Sequence, residues 1–322
     1  MIQNVGIIGS GKMGTDIFNY LSDFEYNLTW FILFEDEKEK LQRSFQKRIT
    51  RQLKHELINQ DQYNHKKSFV LTNNLPDLSS CDLIIESIVE EESLKKELFK
   101  ELEKYVNPNC IFTSNSSSIF PSKLSNTIPV YGMHFFYPVA FKNIVELIIP
   151  DNSEKNSTEI LEQFSANINK INFNQNEKQA FLLNRFLLDI QVKAFELAKT
   201  HNIEFIQMDE ISKTIIPDFG LFEMMDHVGH QTMYNSVLNY SDMDKDKERF
   251  QNLLFEIKIR MNELRPFIDN AEVDNLSVDN SKKIKNKLLS EIDIIYRNYI
   301  TEFNIKPEFF KAALSDFCGL II

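Results

Sequence analysis

Glycine is scarce in this chain, 8 residues in 322, so glycine-dependent turns are few and a compact, helix-rich protein is expected. Cysteine is scarcer still. Cys81, Cys110 and Cys318 are odd in number and widely spaced, with no metal-type pairing, which reads as reduced thiols in a cytoplasmic protein. Positive charge is in the minority: 36 Lys and Arg stand against 47 Asp and Glu, a formal net charge of −11 with a pI of about 5.2. Nothing in that balance draws the chain to nucleic acid or to an anionic membrane. No apolar run approaches the roughly 20 residues that a membrane helix needs. The opening MIQNVGIIGSGKMG enters a strand with neither basic flank nor cleavage site, so no targeting segment is expected. What the chain does have is apolar mass. With 43% hydrophobic residues and 27 Phe in 37.8 kDa, it can fill one large or two medium domains.

Val5 to Ile8 reads as a short buried strand running into Gly9-Ser10-Gly11-Lys12-Met13-Gly14 and then a helix-like TDIFNYLSDF. This is G-x-G-x-x-G between strand and helix, the context a dinucleotide fingerprint requires. Gly9 permits the tight turn, Gly11 lets backbone approach a pyrophosphate, and Gly14 lets the helix pack on the strand. The helix N-terminus then faces the phosphates. A second strand, about Leu28 to Phe34, ends in Glu35-Asp36. Glu35 lies 21 residues past Gly14 (35 − 14), where an acid can bond the adenosine ribose and repel a 2′-phosphate, so NAD is expected over NADP. The plainer alternative makes Glu35 and Asp36 first-turn charges of the next helix.

From Glu37 to about Asn59 a long polar helix is expected, with a basic run at Lys47, Arg48, Arg51, Lys54 and His55. Such a run is either a solvated face or a contact for a phosphorylated acyl carrier. Strands follow near 69–72 and 83–86. The second leads into a helix whose start carries Glu90 and Lys95, either within reach of a cofactor or present as helix-end charges. Another strand, 110–113, ends in Ser114-Asn115-Ser116-Ser117-Ser118, hydroxyls suited to turns and also to holding a substrate oxygen. Then comes YGMHFFYPVAFKNIVELI, residues 131–148: one histidine, His134, a proline break, and a second strand carrying Glu146. A base and its orienting carboxylate on neighbouring strands fit that pattern, and so does a packed core histidine.

The ordered motifs GIIGSGKMG, IIESIVEEESLKKELF, SNSSS, GMHFFYP…IVELI, FLLNRFL and PDFGLFEMMD cover about residues 4–230. Together they resemble the 3-hydroxyacyl-CoA dehydrogenase family, including the short 3-hydroxybutyryl-CoA dehydrogenases. The resemblance implies His134 as the catalytic histidine, Glu146 as its partner acid, Ser117 as a substrate-contacting serine, and Asn184 as the asparagine of the family's N-R pair. It implies cofactor contacts from Glu90 and Lys95. Lys12, Met13 and Asn115 complete the candidate NAD-binding set with Gly9, Gly11, Gly14 and Glu35. Departures are Tyr137, where the family usually has Asn, and Gln179-Ala180, where it usually has Pro-Gly. The segment for coenzyme A contacts and the short-enzyme ending also differ.

From about Phe181 the apolar spacing is helical. Pro217-Asp218-Phe219-Gly220 reads as a helix-breaking turn before a helix bearing His227 and His230, with no third ligand type to make a metal site. Asn184-Arg185 and Asn286-Lys287 are 102 apart (286 − 184), as are Asn202-Ile203 and Asn304-Ile305 (304 − 202), while Asp218-Phe219 recurs as Asp316-Phe317. Residues 241–285 are highly charged and read as a surface helix between solvated loops.

The expected architecture is α/β: a Rossmann-like NAD-binding domain over 1–178, then an all-α domain over 179–322 for substrate and dimerisation, with a partial repeat from about 284. The site is expected between the domains. The expected chemistry is NAD-dependent interconversion of 3-hydroxyacyl and 3-ketoacyl thioesters of coenzyme A. Alternatives are a carrier-protein-bound acyl group, a small hydroxy acid, or a catalytically silent NAD-binding protein. A homodimer is expected.

Overall fold

A computed structural model of the chain describes residues 2–217, 219–269 and 276–321. It divides into two compact units, Met1–Ala180 and Phe181–Ile322, each taken here by itself.

The first unit alternates strand and helix: β1 (Asn4–Ile8), α1 (Lys12–Leu21), β2 (Asn27–Phe31), α2 (Glu35–Lys54), α3 (Gln60–Lys67), β3 (Val70–Thr72), β4 (Leu83–Glu86), α4 (Glu92–Leu102), β5 (Ile111–Ser114), β6 (Val130–Phe135), β7 (Ile144–Ile149), α5 (Lys155–Asn167) and β8 (Ile171–Asn176). The eight strands form one sheet in the order β3-β2-β1-β4-β5-β6-β7-β8, parallel throughout except for the antiparallel β6–β7 pair. Strands covered on both faces read as continuous apolar runs, because successive side chains enter opposite cores. In β4, Leu83 and Ile85 join one cluster with Phe18 and Trp30, while Ile84 joins another with Phe99 and Phe112. The Phe18 ring stacks on Trp30 at 4.3 Å, which fixes α1 against β2.

The long helix expected over 37–59 is α2, which stops at Lys54, and a separate helix that was not expected, α3, follows from Gln60. Glu56 takes a left-handed φ of 56° after α2 ends, and Asn59 then caps α3, its side chain accepting the Gln62 N–H while Gln62 accepts the Asn59 N–H. The strand–helix alternation also runs one strand further than expected. β8 is an edge strand in which buried Phe173 and Gln175 alternate with exposed Asn174 and Asn176, and its mostly polar residues hide it from an apolar-run reading.

The second unit is helical: α6 (Leu182–His201), α7 (Phe205–Ser212), α8 (Leu221–Val228), α9 (His230–Met243), α10 (Gln251–Glu263), α11 (Val278–Glu302) and α12 (Pro307–Cys318). Helix α6 buries residues on nearly every side, so it is the centre of its unit. Its exit matches that of α11: Asn202 and Asn304 are both left-handed (φ 49° and 51°), and Ile203 and Ile305 each donate back five residues, to the carbonyls of Ala198 and Ile300. The charged stretch holds α10, which buries Leu253 and Ile257, so it is not wholly a surface helix. Residues 270–275 within that stretch, and Asp218 of the Asp218-Phe219 pair, lie outside the described residues. His227 and His230 fall on different helices, because Gly229 at φ 90° breaks the chain between them. His230 Nε2 lies 2.8 Å from Asp226 Oδ1, yet no metal-holding group of three or more such side chains occurs among the described residues.

Candidate active site

Strands β1, β4, β5 and β6 are parallel, so the segments that follow them emerge at one edge of the sheet. The strand order reverses between β1 and β4, where open α/β sheets bind ligands. The glycine loop follows β1, Glu86–Glu90 end and follow β4, Ser114–Ser118 end and follow β5, and His134 lies near the end of β6.

The loop fits a dinucleotide by construction. Gly9 has a φ of 121°, and a Cβ there would lie 2.3 Å from the Ser87 carbonyl oxygen. A Cβ on Gly14 would lie 2.3 Å from the Gly9 carbonyl oxygen, so only glycine lets α1 start this close to β1. A Cβ on Gly11 would meet nothing within 4 Å, leaving open space at the first turn of a helix that no side chain caps. That is the shape and polarity a diphosphate requires. Trp30 Nε1 donates to the Gly9 carbonyl at 2.8 Å and so braces the turn from β2. Lys12 is exposed, and half-buried Met13 packs on the core beneath.

Glu35 is the first residue of α2, with Lys38 Nζ at 3.4 Å. Glu37, which the motif reading did not single out, comes closer to the loop: Ser10 Oγ donates to its Oε2 at 2.5 Å. Its spacing from the glycines gave no signal, since only the helical turn from Glu35 brings it round.

Glu86, fully buried, accepts from Lys95 Nζ at 2.6 Å, from Ser114 Oγ at 2.5 Å and from the Ile88 N–H at 2.7 Å. Lys95 is itself buried and has Glu90 Oε2 at 3.6 Å as well, so its ammonium is engaged inside the protein. Glu90 Oε1 gathers the serine turn. It accepts from Ser116 Oγ (2.6 Å), from the N–H groups of Ser117 and Ser118 (3.0 Å each) and from Ser118 Oγ (3.0 Å). Burial pushes the Glu90 carboxyl upward, but the Lys95 charge and these donors outweigh it and hold the group below the ordinary carboxylate range. Asn115 Oδ1 accepts the Phe135 N–H at 2.8 Å, tying the end of β5 to the end of β6.

His134 and Glu146 are direct partners in the antiparallel β6–β7 register, so their side chains share a face. His134 Nδ1 lies 2.7 Å from Glu146 Oε2, and Gln175 Nε2 donates to Glu146 Oε1 at 2.8 Å. All of Glu146 and nearly all of His134 are buried, and Phe136 meets the imidazole edge to face at 4.5 Å. A carboxylate at Nδ1 selects the tautomer with its proton there and puts the basic lone pair on Nε2. Gathered in the first unit are therefore the glycine loop, the serine turn and the His134–Glu146 pair. Asn184 is the third residue of α6 in the second unit, and is half-buried.

Of the expected basic run, Lys47, Arg51, Lys54 and His55 line, with Arg43, a surface hollow of about 880 Å³ on α2. Arg48 turns the other way and donates to the Asn19 carbonyl and side chain at 3.1 and 3.0 Å, anchoring α2 to α1.

The family described as 3-hydroxyacyl-CoA dehydrogenase, NAD binding domain, matches residues 4–177. The mitochondrial hydroxyacyl-coenzyme A dehydrogenase of Sus scrofa is 26% identical over 276 residues, covering 82% of this chain and 86% of that one. The 3-hydroxybutyryl-CoA dehydrogenase of Bradyrhizobium diazoefficiens is 28% identical over 193 residues, covering 58% of this chain and 66% of that one. Among solved structures, the (S)-3-hydroxybutyryl-CoA dehydrogenase of Ralstonia eutropha superposes with a TM-score of 0.74 at 23% identity, covering 84% of this chain and 100% of that one, a likeness of fold.

Proposed function

The chain belongs to the 3-hydroxyacyl-CoA dehydrogenase family, its first unit being the NAD-binding domain, and from that premise we propose that it interconverts 3-hydroxyacyl and 3-ketoacyl thioesters of coenzyme A. The observation that carries this reading is the His134–Glu146 pair at the sheet edge shared with the glycine loop. His134 takes the proton of the 3-hydroxyl on Nε2 while its Nδ1–H goes on donating to Glu146. Glu146 opposes the charge that forms on the imidazole, and Gln175 keeps that carboxylate aimed. The Ser117 hydroxyl is the donor to the reacting oxygen, where negative charge develops. Asn184 keeps the role of a second donor, resting on the resemblance alone. Bound NAD supplies the hydride acceptor. Gly9, Gly11, Gly14, Lys12 and Met13 form its diphosphate end, and Glu35 its ribose end, with Glu37 beside it. Glu90, Lys95 and Asn115 act by ordering the serine turn and the β4 edge.

The α2 hollow supports a phosphorylated carrier, since four cations there interrupt an otherwise acidic protein. A homodimer through the second unit is consistent with Phe255 and Leu264, 67% and 91% exposed. A reducing compartment such as the cytoplasm suits three buried cysteine thiols. Among the described residues, no helix is long and apolar enough to cross a membrane.

The test is NADH absorbance followed with acetoacetyl-CoA, a carrier-protein-bound ketoacyl group and a small keto acid side by side. Turnover of the coenzyme A thioester is expected. Turnover confined to one of the other two would move the substrate assignment, and bound NADH with no turnover of any would leave a silent NAD-binding protein.

A further inference from the structure

Two side chains one turn apart on α1, Lys12 and Asp16, both reach the loop that follows His134. Lys12 Nζ sits 3.9 Å from the centroid of the Tyr137 ring. Asp16 Oδ2 accepts the Val139 N–H at 2.7 Å. From the other side Lys170, buried, donates to the carbonyls of Val139 and Lys142. The loop is thus pinned between α1 and the residue that leads into β8. Within it the two aromatics differ. Phe136 is 6% exposed and packs on the His134 ring, whereas Tyr137 is 49% exposed, so core packing does not account for where its ring lies.

Lys12 is the first residue of α1, beside the open space at Gly11. A lysine there has a four-carbon stem and many rotamers, and ordering it costs entropy on each binding event. An aromatic face under the ammonium removes part of that cost beforehand. It satisfies the cation on one side through the ring's quadrupole and leaves N–H groups for an anion on the other.

We propose that Tyr137 is a positioning residue of the dinucleotide site: its ring shelves the Lys12 ammonium for the cofactor's diphosphate, and with the Asp16–Val139 bond it joins the phosphate loop to the loop after His134. The inference rests on the reading of the first unit as an NAD site. It adds a residue from outside the glycine motif, one that acts through Lys12 rather than by touching the cofactor.

The experiment uses the full-length chain, with NADH binding read by fluorescence titration and turnover read separately. Tyr137→Leu removes the ring face and Tyr137→Phe keeps it. Tyr137→Leu is expected to weaken NADH affinity about 2- to 5-fold, the range of an exposed cation–π contact, with Tyr137→Phe close to the parent. In a Lys12→Met background the same Tyr137→Leu change should produce no further loss, because the cation it acts through is gone. Hydrogen exchange at the Val139 amide should slow on adding NADH to the parent, and slow less in Tyr137→Leu.

Unchanged affinity in Tyr137→Leu overturns the proposal. So does an equal loss in the Lys12→Met background, which would mark Tyr137 as a merely structural residue. A Val139 amide indifferent to NADH in the parent removes the link between the loops. These outcomes differ from failure of the underlying reading, in which the parent protein itself does not bind NADH.

Discussion

Glu90 in the first unit and Asp209 in the second are both shielded carboxylates that gather two backbone N–H groups at a turn, and their acidities move in opposite directions. Glu90 accepts from Ser117 and Ser118, while Asp209 accepts from Phe222 (2.9 Å) and Glu223 (2.8 Å) and so caps α8 from another helix. Burial pushes both upward. Glu90 has Lys95 beside it as well as serine hydroxyls, and ends below the ordinary range. Asp209 has chiefly backbone donors, with Lys213 helping and Glu223 opposing, and burial prevails, taking it to about 6. Between these two carboxylates the buried Lys95 ammonium beside Glu90 makes the difference. The same contrast separates the units at large. Polar groups at the sheet edge hold His134 and the serine turn in place. Those of the second unit, such as Asp189 between Arg249 (2.7 Å) and Tyr299 (2.9 Å), hold helices together.

The sharpest way to break that contrast is to exchange the expected consequences. His134→Ala should lower turnover by about 10²–10⁴-fold with NADH affinity nearly unchanged, because the cofactor end is built from other residues, and with some loss of stability because the buried Glu146 carboxylate is left short of a partner. If instead turnover per folded molecule persists, His134 belongs with the structural polar groups.

Asp189→Ala should do the reverse. Asp189 is buried and accepts from the buried Tyr299 hydroxyl and from half-buried Arg249, which keeps Asp244 as a second partner, so its loss should cost about 1–3 kcal/mol and lower the denaturant midpoint while the folded fraction keeps its rate. A rate defect without a stability defect would place Asp189 in the catalytic machinery.

The Glu90–Asp209 difference predicts opposite pH dependences. Asp209 has a folded pKa raised above its unfolded value, so its contribution is fully present below about 3.8 and is lost as pH rises through about 6. Across that window Asp209→Asn should gain stability relative to the parent, by up to about 3 kcal/mol for a shift of about two units. Glu90 has a lowered pKa, so its contribution is present above the ordinary value and is lost as pH falls, and Glu90→Gln should come closer to the parent in acid. Denaturation curves at several pH values between about 3 and 7 read both. Parallel slopes would mean that Lys95 does not set the difference.

The smallest effect sharpens the cofactor side. NADH should bind in preference to NADPH by about tenfold, roughly 1.4 kcal/mol, with Glu35 and its neighbour Glu37 at the ribose end. Glu35→Gln should narrow the gap. Titration of both nucleotides decides it, and equal affinities in the parent would remove Glu35 from that role.

Local pattern made several elements legible. β4 coincides with its apolar run, and the glycine loop sits between strand and helix as its spacing requires. The His134–Glu146 pair could be suspected because one histidine and one acid flank a proline-broken loop between two short apolar runs. β8 was not legible, since an edge strand with one wet face carries no apolar run. Nor was the early end of α2 at Lys54, where a glutamate rather than a glycine takes the left-handed turn. The separation of His227 from His230 turned on one positive-φ glycine inside a stretch of otherwise helical spacing.

The sequence by itself determined the strands from β1 to β7 and the place of the glycine loop between β1 and α1. These follow from side-chain periodicity and from glycine where no Cβ fits, and both are properties of neighbours in the chain. Only the tertiary structure decided that Lys95 is taken up by Glu86 and Glu90, that Arg48 turns to Asn19 while Arg51 and Lys54 line the hollow, that Glu37 reaches Ser10, and that Lys12 rests on Tyr137. Each of those outcomes is a choice among several nearby charges. The choice is made by distances of a few ångströms that exist only after separate elements have docked.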